Sequence, residues 1–293
     1  MRIFITGATG FIGSALVGEL IGAGHNVIGL ARSERGAQWL AAAGAEVQRG
    51  ELEDLDSLRR GAAPADAVIH AAFIHDFSRY RESAAIDRKA IEALGAALCG
   101  SERRLIVTAG LPLAAAGRLA TEADAPGAAS ATFPRASEQT AAALEAQGVR
   151  AIVMRLPQVH DTSKQGLVSY SIQIAREKGV SAYVGEGCNR WPAVHRLDAA
   201  RLYRLALEKG APGARYHAVA EEGVTARDIA EAIGRGLGVP VRSIPAAEAA
   251  NHFGWLGAFI GLDLPASSAQ TRAALNWTPN GSGLIADLNA MRY

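Results

Sequence analysis

The sequence predicts an α/β fold, a Rossmann-type doubly wound parallel sheet with a smaller C-terminal lobe. Over residues 1–158, short apolar runs alternate with segments of helical periodicity, the pattern of parallel strands joined by helical crossovers. The first run, residues 3–5, leads into three closely spaced glycines and then a helix-period pattern. Beyond Pro157 the alternation loosens. We therefore expect a sheet domain at residues 1–158, completed by residues 199–221, and mainly a second lobe at 159–293.

The individual elements follow from local sequence signals. Turn residues such as Gly24 and Asp66 precede apolar runs and therefore mark strand starts. Thr225 with Asp228 three residues later resembles a capping box and predicts a helix start. Asp198 is expected to be an N-cap or a helix-start acid. Strands are expected at residues 26–31, 45–48, 67–72, 104–108, 150–156 and 215–219. Helices are expected at residues 86–98, 137–146, 165–177 and 198–208.

Composition narrows the function classes. The formal net charge of +1 gives no long-range attraction to nucleic acid or to an anionic membrane. Cys99 and Cys188 lie in no metal or redox spacing, so free thiols in a reducing compartment are expected. Because the chain opens on a strand, we expect no signal peptide and a cytoplasmic protein. The apolar run 253–262 is too short to span a bilayer and could be a lid, core, or a subunit contact in a homodimer.

The glycines after the first strand are the strongest functional signal. Gly7 permits a tight turn, Gly10 removes the Cβ that would block a pyrophosphate, and Gly13 allows close helix–strand packing. Strand, glycine turn and helix in this order predict a dinucleotide site, and the alternative is an ordinary βα turn. The residues expected to contact the cofactor here are Gly7, Thr9, Gly10, Phe11, Ile12 and Gly13.

The segment Thr-Gly-Ala-Thr-Gly-Phe-Ile-Gly (6–13) resembles the fingerprint of the extended short-chain dehydrogenases/reductases, the epimerase/dehydratase-like branch. The resemblance implies that segments outside the sheet, within residues 159–293, build a substrate-binding lobe. Gly50-Glu51-Leu52 resembles the family's Gly-Asp-Leu, whose carboxylate meets adenine, and 70–72 resembles its His-x-Ala segment. His70 itself is expected to be a packed structural residue. The further cofactor contacts implied are Glu51, Leu52, Ala71, Ala72, Phe73, Thr108, Ser137 and Pro157.

The end of the second strand indicates which nucleotide binds. A site for NAD would place an acid there to accept the ribose hydroxyls. Between residues 25 and 33 the chain has none, and Arg32 and Ser33 offer a guanidinium and a hydroxyl that suit a 2′-phosphate. Glu34 is expected to open the following helix. The sequence therefore predicts NADP, and the alternative for Arg32 is a solvated surface arginine.

The family's catalytic pair is missing from this sequence. The family uses a Tyr followed four residues later by Lys, and no tyrosine here has that spacing. The best-matching segment places Phe133 at the tyrosine position and Ser137 at the lysine position. Gly110 takes the position of the assisting serine, which leaves Thr108 as the nearby hydroxyl. The family's mechanism therefore cannot be transferred to this chain.

Other side chains are candidates for the proton transfer. We expect His160, oriented by Asp161, to be the proton donor, with His195 second, although His195 could equally pack inside the protein. Thr108 is expected to hold the carbonyl oxygen, and the alternative is a strand-end threonine that bonds the backbone. His75 and Asp76 are weaker candidates on a loop after the fourth strand. The expected substrate contacts are Phe133, Trp191 and Tyr170, although such aromatic residues also occur as plain core.

These observations favour an NADP-dependent oxidoreductase that acts on a small, fairly apolar carbonyl compound. The alternatives are a non-catalytic NADP-sensing or scaffold protein, and an epimerase, dehydratase or lyase that uses the cofactor transiently. The sequence holds no Gly-x-Ser-x-Gly elbow and no zinc-type histidine spacing, so neither a hydrolase nor a metal site is expected.

Overall fold

A computed structural model of the protein describes residues 1–112 and 117–293. The strands are β1 (Arg2–Thr6), β2 (Asn26–Ala31), β3 (Glu46–Arg49), β4 (Ala67–His70), β5 (Arg104–Gly110), β6 (Arg150–Leu156), β7 (Gln158–His160), β8 (Ser181–Val184), β9 (Arg190–His195), β10 (Arg215–His217), β11 (Glu221–Thr225) and β12 (Val241–Ile244). The α-helices are α1 (Phe11–Gly22), α2 (Glu34–Ala42), α3 (Leu55–Ala62), α4 (Tyr80–Leu98), α5 (Ser137–Glu145), α6 (Val168–Lys178), α7 (Arg196–Lys209), α8 (Ala226–Leu237), α9 (Ala249–Phe253), α10 (Gly257–Ile260), α11 (Ala269–Leu275) and α12 (Leu284–Ala290).

Seven strands form the central sheet in the order β10-β6-β5-β4-β1-β2-β3. Every neighbouring pair in this sheet is parallel. The strand order reverses between β1 and β4, whose ends pair Thr6 with His70. In open sheets of this kind the ligand crevice lies at that switch point, outside the carboxyl ends of the strands. The predicted Rossmann-type sheet is therefore confirmed.

Helices cover both faces of the sheet. On one face, Ile5, Ile69 and Ile106 pack with apolar residues of α1, α2 and α7. On the other face, Val68 and Val107 pack with residues of α3, α4 and α5. Burial on both faces explains why β1, β2, β5 and β6 carry apolar runs without polar alternation.

The remaining elements form the smaller lobe. Its sheets are β11-β9-β7, in which β9 pairs antiparallel with β11 and parallel with β7, and the parallel pair β12-β8. A second core, which includes Trp191, Ile229, Phe253 and Leu256, joins these strands to α6, α8, α9 and α12. Within the described residues, no helix is long and apolar enough to cross a membrane, and no cluster of His, Cys, Asp and Glu is arranged to hold a metal.

Several element boundaries differ from the sequence prediction. The helix predicted at 86–98 begins earlier in the structure, at Tyr80, because α4 follows directly on a 3₁₀ turn. Asp76 caps this turn, since its side chain accepts a hydrogen bond from Ser78 N. Strand β5 runs on to Gly110 because it stays paired with β6 as far as Leu156. The N-cap of α7 is His195, whose side chain accepts from Leu197 N. Asp198 is therefore a first-turn acid and not the cap.

Candidate functional site

The glycine turn between β1 and α1 forms a cradle with no room for side chains. Gly7 has φ +72°, and a Cβ there would lie 2.8 Å from the backbone of Ala72. A Cβ on Gly13 would lie 2.0 Å from the Gly7 carbonyl oxygen. Gly10 precedes the helix with φ −79° and ψ 176°, and the first turn of α1 contains no acidic residue. The exposed N–H groups and positive end of α1 fit a pyrophosphate.

The carboxyl end of β2 presents an open arginine. Arg32 is exposed, and among residues 1–112 and 117–293 no hydrogen-bond or ion-pair partner is found for its guanidinium. Ser33 caps α2 by accepting from Gly36 N at 3.1 Å, and its hydroxyl proton is left to donate. Glu34 opens α2, as expected, and pairs with Arg49. Arg32 and Ser33 could thus hold a 2′-phosphate beside the cradle.

The end of β3 turns sharply towards α3. Gly50 has φ +152°, and a Cβ there would lie 2.1 Å from Ser57 Oγ, so only glycine fits. Glu51 follows as an exposed carboxylate and Leu52 packs partly against the α3–α4 core. Their contact with adenine stays a prediction.

A buried chain of polar groups links β1, β4, α4 and α5. Thr6 Oγ1 lies 2.9 Å from His70 Nδ1, and His70 Nε2 donates to Asp87 Oδ1 at 3.1 Å. Ser137 Oγ donates to Asp87 Oδ2 at 2.6 Å. His70 is therefore structural, as expected. Burial alone raises the pKa of Asp87, but the Arg135 guanidinium, His70 and Ser137 together lower it below its ordinary value.

The structure corrects the expected role of Ser137. Its side chain is 2% exposed, and its hydroxyl is used by Asp87 and by Arg135 Nε, which donates to it at 2.8 Å. A hydroxyl enclosed in this way does not face the crevice. Ser137 instead holds Asp87 and Arg135 in position.

Arg135 brings a cation to the carboxyl ends of β4 and β5. Its Nη2 donates to the carbonyl oxygen of Thr108 at 2.9 Å, and its guanidinium carbon lies 4.2 Å from the centroid of the Phe73 ring. Its Nε lies 3.6 Å from Asp87 Oδ2. No partner for Nη1 is found among the described residues. Arg135 is thus fixed on one side and keeps free N–H donors on the other.

Thr108 is turned away from the crevice. It is 7% exposed, and its hydroxyl donates to the His70 carbonyl oxygen at 2.7 Å. The hydroxyl oxygen lies 2.6 Å from Tyr203 Oη. Burial raises the pKa of Tyr203, so this phenol stays protonated and donates to Thr108. The expectation that Thr108 holds a substrate oxygen is therefore corrected, because its one proton is committed to the backbone.

Aromatic rings from both lobes meet beyond the ends of β4 and β5. We name as the aromatic wall the seven side chains Phe73, His75, Phe77, Phe133, Tyr170, Trp255 and Phe259. Phe77 stacks on Trp255 at 4.1 Å, and Phe133 meets Phe259 edge-on at 5.4 Å. Tyr170 lies 4.9 Å from Trp255. The expected substrate contacts Phe133 and Tyr170 both belong to this wall.

The apolar run 253–262 has two sides in the structure. Phe253, Leu256 and Ile260 are buried in the core of the smaller lobe. Trp255 is 38% exposed and, with Phe259, faces the rings of the sheet domain. The run is thus partly core, and its other side contacts aromatic rings of the sheet domain. For that side, a lid and a subunit contact both stay predictions.

Trp191 does not lie where it was expected. The indole is 3% exposed, its Nε1 donates to the Leu262 carbonyl oxygen at 3.2 Å, and it packs in the core of the smaller lobe. This corrects its prediction as a substrate contact. The strand β9 places Trp191 inside because its neighbours in the lobe, among them Val224 and Ile229, are apolar.

His160 is buried in the smaller lobe and its partner is not the expected one. Its side chain is 0% exposed, and its Nδ1 donates to Asp287 Oδ2 of α12 at 2.7 Å. Asp161 instead accepts from the backbone of Ser163 and pairs with Arg196. Burial lowers the pKa of His160, although Asp287 opposes this. A side chain without exposed surface does not reach a substrate, which corrects its placement as the proton donor.

The other predicted imidazoles keep some exposed surface. His195 caps α7 through its Nδ1, and its ring lies 5.9 Å from that of His160. His75 lies on the aromatic wall, 5.2 Å from Phe73. Loss of water around it lowers the pKa of His75, and the positive charges of Arg135 and Lys164 lower it further. His75 is thus the predicted imidazole that lies nearest the ends of β4 and β5.

Two cations, Lys164 of the smaller lobe and Arg196 at the start of α7, approach the cradle. The guanidinium of Arg196 lies 5.2 Å from the Phe11 ring centroid, and Lys164 Nζ lies 6.0 Å from it. Pro157 is half-buried between β6 and β7, on the same side of the sheet ends. These contacts join the start of α1 to the lobe.

Sequence reasoning overlooked Asp87 and the role of Arg135. Asp87 occupies an apolar stripe position of α4, in register with Ala84, Ile91 and Leu94, which are all buried. A carboxylate on such a stripe signals a buried partner. Arg135 lies between Phe133 and Ser137, inside the segment that resembles the family's Tyr-x-x-x-Lys.

Known proteins resemble this chain in sequence and in fold. The model of the NAD dependent epimerase/dehydratase family matches residues 3–219. An uncharacterized protein of Schizosaccharomyces pombe is 49% identical over 297 residues, covering 100% of both chains. An uncharacterized protein of Saccharomyces cerevisiae is 44% identical over 293 residues, 99% of this chain and 98% of its own.

A solved structure with the same architecture is the UDP-glucose 4-epimerase of Thermus thermophilus in complex with NAD. It has a TM-score of 0.77 at 20% identity, over 99% of this chain and 97% of that one. This likeness shows the fold. The match of the family model over residues 3–219 establishes that the chain belongs to the NAD-dependent epimerase/dehydratase family.

Proposed function

We propose that this protein is an NADP-dependent oxidoreductase that transfers a hydride between the nicotinamide and a small, fairly apolar carbonyl compound. The observation that supports this most is the position of the aromatic wall. Rings from both lobes stand at the carboxyl ends of β4 and β5, on the side of the sheet where Ala72 adjoins the glycine cradle. Family membership supports the oxidoreductase-type role.

The choice of NADP rests on the end of β2. Arg32 is open and Ser33 keeps a proton to donate, whereas the nearest acid, Glu34, is engaged with Arg49. A guanidinium beside a hydroxyl suits a phosphate monoester. The free ribose hydroxyls of NAD would instead favour a carboxylate at this position.

Each part of the chain has a separate task in this proposal. A bound nicotinamide supplies or accepts the hydride. The cradle orients the pyrophosphate, and the aromatic wall holds an apolar substrate and excludes water. In place of the missing tyrosine we propose an imidazole as the proton donor. His75 and His195 keep exposed surface, and His75 lies on the wall itself.

The test is binding followed by turnover. Calorimetry with NADPH and NADH should show tighter binding of NADPH, and absorbance at the nicotinamide band should fall when aromatic or aliphatic ketones and aldehydes are added. NADPH binding without consumption across the panel would favour the non-catalytic sensor. An altered substrate with no net change in absorbance would favour the epimerase or dehydratase. Failure to bind either nucleotide would overturn the proposal.

A further inference from the structure

We propose that Arg135 is the residue that takes the substrate's carbonyl oxygen, and that the substrate is a flat aromatic carbonyl compound. This inference rests on the proposed function and names its substrate class and its polar contact. It starts from a cation, Arg135, that the protein fixes beside the aromatic wall.

The first step concerns the position of the guanidinium. Arg135 is anchored by Ser137 Oγ, by the Thr108 carbonyl oxygen and by the face of Phe73. These contacts occupy its Nε and one N–H of Nη2, and its side chain is 21% exposed. The donors that remain are on Nη1 and Nη2. A planar fork held on one edge presents its other edge in a fixed direction.

The second step concerns charge. Asp87 lies 3.6 Å from the Nε edge of Arg135, and its oxygens already accept from His70 and Ser137. Asp87 therefore faces the anchored edge of the guanidinium, and the N–H donors of the opposite edge are not used by it. Lys164 adds positive charge close enough to lower the pKa of His75. The free edge of Arg135 is thus suited to an oxygen that is negative or becomes so.

The third step concerns shape. Arg135 lies on Phe73, and Phe133, two residues before it, meets Phe259 edge-on. Phe77 and Trp255 are stacked at an interplanar angle of 9° and close the wall on the side of the smaller lobe. Rings that offer faces and edges at this spacing prefer a flat aromatic group as their next neighbour. A ring held there places a substituent oxygen beside the guanidinium.

The chemistry balances with these groups. As the carbonyl carbon accepts the hydride, the π pair of its C=O bond moves to the oxygen. That oxygen gains a negative charge beside Arg135 and then takes a proton from an imidazole or from water. The oxidised nucleotide remains. A fixed donor aimed at a developing oxyanion stabilises the transition state more than the ground state.

The first experiment uses 2-naphthoate, a flat aromatic anion, as the probe. Its affinity for protein saturated with NADP⁺ is measured by calorimetry in the wild type, in Arg135→Gln and in Arg242→Gln, a matched change at an exposed arginine of β12. We expect Arg135→Gln to lower the affinity for 2-naphthoate by about tenfold or more, since a charge-assisted hydrogen bond is lost. Arg242→Gln should bind as the wild type does, and both variants should keep their NADP⁺ affinity.

A second measurement covers the case in which Arg135→Gln does not fold, and it needs no variant. In the wild type, 2-naphthoate should bind about tenfold or more tightly than neutral 2-naphthalenemethanol. Equal affinities of these two probes, or equal naphthoate affinity in the wild type and folded Arg135→Gln, would overturn the inference. So would wild-type protein that binds NADP⁺ but not naphthoate. Wild-type protein that binds no nucleotide would instead overturn the proposed function.

The aromatic part has its own variant. Phe133→Ala removes a ring of the wall without removing a hydrogen-bond acceptor to which Arg135 donates. The substitution should weaken naphthoate binding several-fold. Acetate, which lacks the ring, should bind equally well to the wild type and to Phe133→Ala. The pH dependence of any turnover should stay as in the wild type, because no ionising group is removed. An unchanged naphthoate affinity would contradict the aromatic substrate class.

Discussion

The glycine cradle and the aromatic wall lie at the same edge of one sheet, yet they agree with the family pattern to different degrees. The cradle matches it residue by residue from Thr6 to Gly13. At the wall, Phe133 and Ser137 stand where the family has its tyrosine and lysine. The difference lies in what builds each site: backbone builds the first, and side chains build the second.

A site made of backbone tolerates little change. A side chain at Gly7 or Gly13 would enter the backbone of Ala72 or of Gly7 itself. A site made of side chains can exchange one set of donors for another, provided that buried charges stay partnered. Here Asp87 is partnered by His70, Ser137 and Arg135, with no lysine in the network.

The largest effect should follow from breaking the cradle. We expect Gly10→Val to weaken NADPH binding by more than about a hundredfold, because its side chain occupies the space of the pyrophosphate at the helix N-terminus. Gly18→Val is the control, since that position on α1 is exposed and has no atom within 4 Å of an added Cβ. Fluorescence titration with NADPH measures both. Normal binding by a folded Gly10→Val protein would show that the cradle is misplaced.

The second prediction distinguishes which histidine donates the proton. If His75 donates the proton, His75→Gln should lower kcat by about 10²-fold, within the usual range for a lost general acid. His160→Gln should leave kcat near that of the wild type, because His160 has no exposed surface. The measurement is kcat with NADPH and an aromatic ketone that the wild type reduces. A large loss in His160→Gln with normal His75→Gln would reverse the assignment, and loss in neither would indicate His195 or water.

The third prediction concerns nucleotide choice. Arg32→Ala should lower the affinity for NADPH by about tenfold, because one charge-assisted phosphate contact is lost, and leave the affinity for NADH unchanged. Arg59→Ala is a suitable control, since Arg59 is exposed on α3 and pairs with Asp56. Calorimetry with both nucleotides provides the comparison. Equal affinity of the wild type for NADPH and NADH would contradict the proposed contact of Arg32 with the 2′-phosphate.

The sequence was sufficient where contacts are local and insufficient where they are not. Strand β6 was predicted to the residue, and the predicted cap Thr225 depends on Asp228 only three residues later. In contrast, His160 meets Asp287, which is 127 residues away, and Ser137 meets Asp87, 50 residues away. Periodicity shows that such a side chain lies inside but not which partner faces it. Trp191 was misplaced for the same reason.

The smallest effect should be a change in how stability depends on pH. Burial holds the pKa of His160 below its ordinary value, with Asp287 of α12 and Glu221 of β11 opposing this and His195 of β9 adding to it. Between the lowered folded pKa and about 6.5, the unfolded chain binds the proton more readily. The contribution of His160 to stability is therefore complete above pH 6.5 and declines as the pH falls below it.

His160→Leu, which has no donor to replace the imidazole N–H, tests this sign. Loss of a buried hydrogen bond to a carboxylate should lower the free energy of unfolding at pH 7.5 by about 1.5–3 kcal/mol. Below pH 6.5 the difference between variant and wild type should narrow, because only the wild type loses the contribution of His160. Urea denaturation at pH 7.5, 6.5 and 5.5 gives this difference directly. A difference that widens towards pH 5.5 would mean that the ion pair with Asp287 outweighs burial and that the folded pKa of His160 is raised.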